Sequence, residues 1–214
     1  MLPVLLSIFA CEADEPAATP EPAATPSTTS AAPPATPEPA AAAPAVLTPI
    51  NGGTAAPVWP EFETFHGGYG SLISPSSSSS LAAQGSAAYG AENLADDAYK
   101  TAWVEGASGT GVGEWVQFTY ASTEPLWTCG DFVIVNGYQK NEKTFAENGR
   151  VKSMDLFVGE QKKATLSLKD QLGEQAFTLP VSIGDTVRLV ITDVYPGSKY
   201  EDTALTEMWL GCAP

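Results

Sequence analysis

The stretch Glu114-Trp115-Val116-Gln117-Phe118-Thr119-Tyr120 decides the fold. It is aromatic and β-branched, its large side chains divide between two faces by alternation, and no helical stripe runs through it, so it reads as a strand. Working outward, short runs of the same kind recur at 132–136, 153–158, 164–168, 176–179, 186–192 and 205–210. Breaks such as Val158-Gly159-Glu160 and Ile183-Gly184-Asp185 separate them. Seven short strands without a sustained helical pattern predict an all-β antiparallel β-sandwich or jelly roll. The glycine- and serine-rich stretch 67–90 reads as loop with an early strand near Ser71 to Ile73, and 91–98 as a short helical turn. Trp103 and Trp115 are both expected in the core.

Upstream the composition changes. Residues 12–58 are dominated by Ala, Pro, Thr, Ser, Gly and Glu, and a theme repeats: EPAATP at 15–20, EPAATP at 21–26, TPEPA at 36–40. Such a segment cannot bury enough apolar surface to offset its ordering entropy, so a disordered stalk is expected. An extended Pro-rich spacer of thirty residues reaches about 90 Å at roughly 3.1 Å per residue. Met1 to Ala10 is apolar apart from Ser7 and runs into Cys11. That run is too short to span a bilayer. Ile8-Phe9-Ala10-Cys11 resembles a bacterial lipoprotein box, which implies a signal peptide at 1–10 and lipidation of Cys11. The expected organisation is signal 1–10, lipid-anchored linker 11–58 and globular domain 59–214, at the bacterial cell envelope and facing outward.

Acidic residues outnumber basic ones 25 to 10, for a net charge of −15, and every Lys and Arg lies at or beyond Lys100. Phosphate recognition needs clustered cations, so nucleic acid is excluded as a partner. The charge reads as a solubility device, and a monomer is expected. Beyond Cys11 the cysteines are Cys129 and Cys212. Export exposes them to oxidation, so a disulfide is the first expectation and two buried thiols the alternative.

Catalysis fares poorly. The one histidine, His66, cannot by itself assemble a Ser-His-Asp device or a two-histidine zinc site. Neighbouring Glu201 and Asp202 could form a hydrolase carboxylate pair, but adjacent residues on one turn seldom flank a bond from opposite sides. The expectation is a non-enzyme.

Four segments, Asn93-Leu94-Ala95-Asp96, Thr101-Ala102-Trp103-Val104-Glu105-Gly106, Gly111-Val112-Gly113-Glu114-Trp115 and Val135-Asn136-Gly137-Tyr138-Gln139-Lys140, carry a resemblance. With Asn148-Gly149-Arg150-Val151-Lys152 and the run from Asp193 to Ala204, then Glu207, they resemble the NADase-type glycan-binding domain, related to discoidin and coagulation-factor C-type jelly rolls. The family is named after the translocation domain of an NAD-hydrolysing toxin, so the resemblance implies binding and no NAD chemistry. It implies a discoidin-like domain that binds a glycan or cell-surface polysaccharide. An envelope scaffold or adhesion domain binding a protein is the alternative.

Planar polar groups fork hydrogen bonds to sugar hydroxyls, and aromatic faces supply apolar area at low entropy cost. Glu105, Asn136, Tyr138, Lys140, Tyr195, Lys199, Tyr200, Glu201 and Asp202 are the expected glycan-binding residues, with the loops 136–140 and 195–202 acting as one site. The resemblance further implies a structural calcium held by Asp96, Thr101 and Glu207, hard oxygen ligands of the type that ion takes. Where such modules read Asp-Gly-Asp or Asp-Gly-Asn, this chain reads Asp96-Asp97-Ala98.

Overall fold

A computed structural model describes residues 43–50, 73–120 and 128–213. The stalk up to residue 42, with Cys11, and the stretch 51–72, with Trp59 and His66, lie outside the described residues.

The domain is an antiparallel β-sandwich. One layer runs β2 (Ile73–Ser77), β4 (Trp115–Thr119), β9 (Thr186–Tyr195), β6 (Gly149–Val158) and β7 (Gln161–Ser167), with β1 (Ala45–Leu47) parallel on the outer edge of β7. The other runs β3 (Trp103–Val104), β10 (Thr203–Ala213), β5 (Thr128–Asn136) and β8 (Glu174–Thr178). A short parallel contact, Thr203 with Gly149 and Ala204 with Arg150, stitches β10 to β6 and joins the layers.

Alternation fills the space between them. Val116 and Phe118 of β4, Met154 and Leu156 of β6, and Leu189 and Ile191 of β9 meet Phe132 and Ile134 of β5, Phe177 of β8, and Met208 and Leu210 of β10. Phe118 and Phe132 stack across the interface, centroids 5.2 Å apart and planes 13° from parallel. Each such side chain contributes roughly 1.5–3 kcal/mol on burial. The other face of the second layer is covered too: Val133, Val135, Ala176 and Trp209 form a separate buried cluster with Tyr99.

All seven expected strands are present, most of them longer than their apolar runs, and residues 91–95 form the expected short turn as a 3-10 helix. Three expectations need correction. Trp103 is completely buried, but Trp115 is only half-buried and points outward. Val116 and Phe118 take the inward positions of β4, and the two-residue period of a strand then places Trp115 on the opposite face. The stretch 11–58, expected to be linker throughout, contributes β1, where the apolar Ala45-Val46-Leu47 pairs with Ala164 to Leu166. A helix, α1 (Glu142–Glu147), also stands where none was expected. Its start is fixed by a reciprocal cap: Thr144 N–H donates to the Asn141 side chain at 2.9 Å, and Asn141 N–H donates to Thr144 Oγ1 at 3.1 Å.

Candidate functional site

Two loops meet at one end of the sandwich because of α1. The loop from β9 to β10 lays its backbone on the end of that helix: Ser198 N–H donates to Ala146 O, and Lys199 and Tyr200 N–H both donate to Glu147 O. Helix-terminal carbonyls lack intrahelical partners, and here the loop supplies them. Gly197 permits the approach, since a Cβ there would lie 2.4 Å from Glu147 O and 2.5 Å from the Asn148 carbonyl carbon. On the other side Gly137 turns the chain out of β5 at φ 79°, and a Cβ there would strike Arg150 and Phe145.

Between these loops lies an open cleft of about 170 Å³. Its aromatic wall is Tyr89, Tyr138 and Tyr200, and its carboxylates are Glu147 and Asp202. Tyr89 and Tyr138 meet edge to face, centroids 6.5 Å apart at 88°, which forms a right-angled aromatic corner. Tyr138 is mostly buried and its hydroxyl donates to Lys100 O at 3.1 Å; Tyr200 is 42% exposed. Burial, and then the neighbouring Glu201, push the Asp202 carboxyl above its ordinary value. Lys199 lies at the rim with its Nζ 4.6 Å from the centre of the Tyr200 ring.

Of the residues expected to bind, the cleft therefore gathers Tyr138, Tyr200 and Asp202. Lys140 and Glu201 are exposed nearby in sequence without lining it. Tyr195 is half-buried on β9; its hydroxyl donates to Leu168 O and its ring lies under Lys152. Asn136 is completely buried and clamps β6, its amide donating to Val151 O at 2.7 Å and accepting Val151 N–H at 2.9 Å. Glu105 is also fully buried and accepts the N–H groups of Ala107 and Thr203, with burial raising its carboxyl. In this fold Asn136 and Glu105 are internal struts that hold the loops. Sequence reasoning missed Tyr89 and Glu147. Tyr89 carried a signal, as a lone aromatic within Ala87-Ala88-Tyr89-Gly90.

The three expected metal ligands do come together. Ala98 N–H donates to both Asp96 and Glu207, and the Thr101 hydroxyl donates to Asp96 and to Ala98 O. Asp97, at the position where the resembled modules have glycine, adopts a left-handed φ of 57°. Glu207 is 1% exposed, and burial followed by the Asp96 charge pushes its carboxyl up to about 9. Neither acid is in an ion pair among the described residues. A buried carboxylate short of positive charge beside a second carboxylate, a hydroxyl and a carbonyl fits a hard cation by donor type. Among the described residues no three acidic, His or Cys side chains converge on one point. Elsewhere, the register of β10 on β5 places Cys212 directly opposite Cys129.

Compared with known proteins, residues 66–211 match a family model described as the NAD glycohydrolase translocation F5/8 type C domain. Among solved structures the chain is similar to the CBM32-1 and CBM32-2 domains of Clostridium perfringens ZmpB in complex with GalNAc, at 14% identity and a TM-score of 0.46. That likeness covers 67% of this chain and 33% of the other, so the chain spans about a third of its length. It is also similar to CpGH89CBM32-5 from Clostridium perfringens, in complex with GalNAc-β-1,3-galactose, at 14% identity and a TM-score of 0.47, covering 64% of this chain and 94% of that one. No curated protein matches the chain.

Proposed function

The chain belongs to the family of the NAD glycohydrolase translocation F5/8 type C domain, and on that premise we propose that it binds glycans without catalysing their turnover. The observation that supports this is the cleft itself. Three tyrosines offer ring surface, Asp202 and Glu147 accept hydrogen bonds from hydroxyls, and the walls come from separate segments held by backbone bonds. At about 170 Å³ it is small. Drug-sized pockets run to roughly 300–1,000 Å³, so the cleft suits one sugar ring of a larger glycan.

Tyr200 gives the cleanest test, because it is the exposed ring of the wall. Tyr200→Ala is expected to weaken glycan binding at least about tenfold, the loss of a desolvated aromatic anchor, with an unchanged melting temperature. Tyr195→Ala, outside the cleft, should leave binding intact. A glycan array followed by calorimetry on the full chain reads both. An array without a single sugar hit, together with a reproducible protein partner from crosslinking in cells, would replace this reading with an envelope adhesion role.

We further propose that Cys11 is lipidated at the cell envelope, so that the stalk presents the domain outward, and that Cys129 and Cys212 are bridged. Directly opposed residues on antiparallel strands lie about 4.5–5.5 Å apart at Cα, within the range a disulfide spans. Intact mass checks both claims. The wild type should carry acyl mass that Cys11→Ser lacks, and Cys129 and Cys212 should react with a thiol reagent only after reduction. Free thiols in the unreduced, unfolded chain would refute the bridge.

A structural calcium held by Asp96, Thr101 and Glu207 is proposed as well, and Glu207 gives it a signature. In the folded chain its carboxyl is held at about 9, against roughly 4.3 when unfolded. Between those values the folded state binds a proton that the unfolded state has lost. Without metal, this contribution to stability is complete below the unfolded value and is lost as pH rises toward 9. Calcium supplies the missing positive charge. At one hundred times its dissociation constant it stabilises by about 2.7 kcal/mol, a rise of roughly 5–10 °C for a domain of this size. Glu207→Gln should abolish that rise and flatten the pH dependence. A wild-type melting temperature indifferent to calcium at pH about 8 would remove the ion.

A further inference from the structure

Resting on the glycan reading of the cleft, we infer that it selects sugars bearing a protonated amine and rejects sugars bearing a carboxylate. The lining carries three phenol rings and two carboxylates, and no Lys or Arg among the described residues. Ring faces carry negative quadrupole density and attract an ammonium group. The chain already demonstrates this at the rim, where its own Lys199 ammonium stands over Tyr200. The perpendicular corner of Tyr89 and Tyr138 adds a second aromatic wall against which a sugar ring can rest.

The surrounding charges leave one acid uncompensated. Glu147 has Lys143 at 3.9 Å and the charge of Lys199 nearby. Asp202 is in no ion pair among the described residues and has Glu201 next to it in sequence and the buried Glu105 across the loop. Burial first, and then the Glu201 charge, disfavour the charged form of its carboxyl, which an entering ammonium would relieve and an entering carboxylate would worsen. The chain as a whole adds a net charge of −15 to that preference. An amine on the ring, placed between Asp202 and the Tyr200 face, satisfies both groups at once. A uronate in the same place meets the like charge of Asp202, and the rim cation Lys199 is already engaged by Tyr200 and Glu147.

Calorimetric titration of the full chain at low salt, with three trisaccharides as ligands, tests this. The β-1,4-linked glucosamine trimer is expected to bind at least about tenfold more tightly than its N-acetylated counterpart, a difference of about 1.4 kcal/mol, and the galacturonate trimer not to bind. The preference should fade at a pH that deprotonates the sugar amine and as salt is raised. Asp202→Asn keeps the shape of the side chain and its backbone bond to Gly149, so the fold should persist while the glucosamine trimer and its N-acetylated counterpart converge in affinity. Equal affinities in the wild type, or a preference untouched by Asp202→Asn, would overturn the charge selection while leaving the glycan reading in place. Failure of all three trimers and of a neutral glycan array would overturn both.

Discussion

Trp103→Ala is expected to destabilise the domain by about 3–5 kcal/mol, the usual range for emptying a large aromatic site, while Trp115→Ala costs less than half as much. Trp103 is completely buried on β3, where it pairs with Leu205 of β10. Its indole N–H donates to Ser79 O at 2.9 Å and so ties the loop after β2 to the second layer. Truncation therefore opens a cavity and orphans a carbonyl together. Trp115 is half-buried on the outer surface of β4 and leaves no enclosed void when shortened. Urea unfolding of the two variants measures the difference. Equal losses would mean that the inward and outward faces of β4 are assigned the wrong way round.

Arg150→Met is expected to cost about 1.5–3 kcal/mol, because it removes charge-assisted hydrogen bonds to a half-exposed carboxylate and to two loop carbonyls, and to weaken glycan binding as well. Arg150 is 9% exposed and reaches three segments. Its Nε and Nη2 form a fork on Asp170 at 2.9 and 2.8 Å, and its Nη1 donates to Asn148 O and Pro196 O. Its guanidinium also lies 5.3 Å from the centre of the Phe145 ring of α1. Pro196 opens the loop that carries Tyr200 and Asp202, so releasing it loosens one wall of the cleft. Arg150→Lys keeps the charge but not the planar fork, and should recover less than half of the lost stability. If Arg150→Met melts and binds like the wild type, the loops are held by the contacts around Gly197 alone.

Most of the sandwich was legible because it rests on a local rule. Alternation in 115–119, 153–158 and 186–192 puts one set of side chains on one side of each strand whatever the partners turn out to be. The same rule could not say which set would be covered. Both Trp115 and Val116 suit a core, and only the pairing of β4 between β2 and β9 turned Val116 and Phe118 inward. The six-residue α1 went unread in the sequence, because a helix that short carries no apolar period.

The site divides in the same way. Sequence alone identified the family, and it led to two loops rich in tyrosine and acid and to the trio Asp96, Thr101 and Glu207 as candidates, since residue types and their order are enough for that. It could not decide which members of each loop would meet. Asn136 and Tyr138 are two residues apart, yet one is spent inside on Val151 and the other faces the cleft. Tyr89 comes from 49 positions before Tyr138. Tyr200 displaces Tyr195 as the exposed ring because Gly197 lets the backbone between them close onto Glu147. Convergence of this kind is set by contacts between residues distant in sequence, the β6 to β10 stitch and the packing of a loop on a helix end. No local pattern encodes such contacts, because they exist only once the two layers have closed on one another.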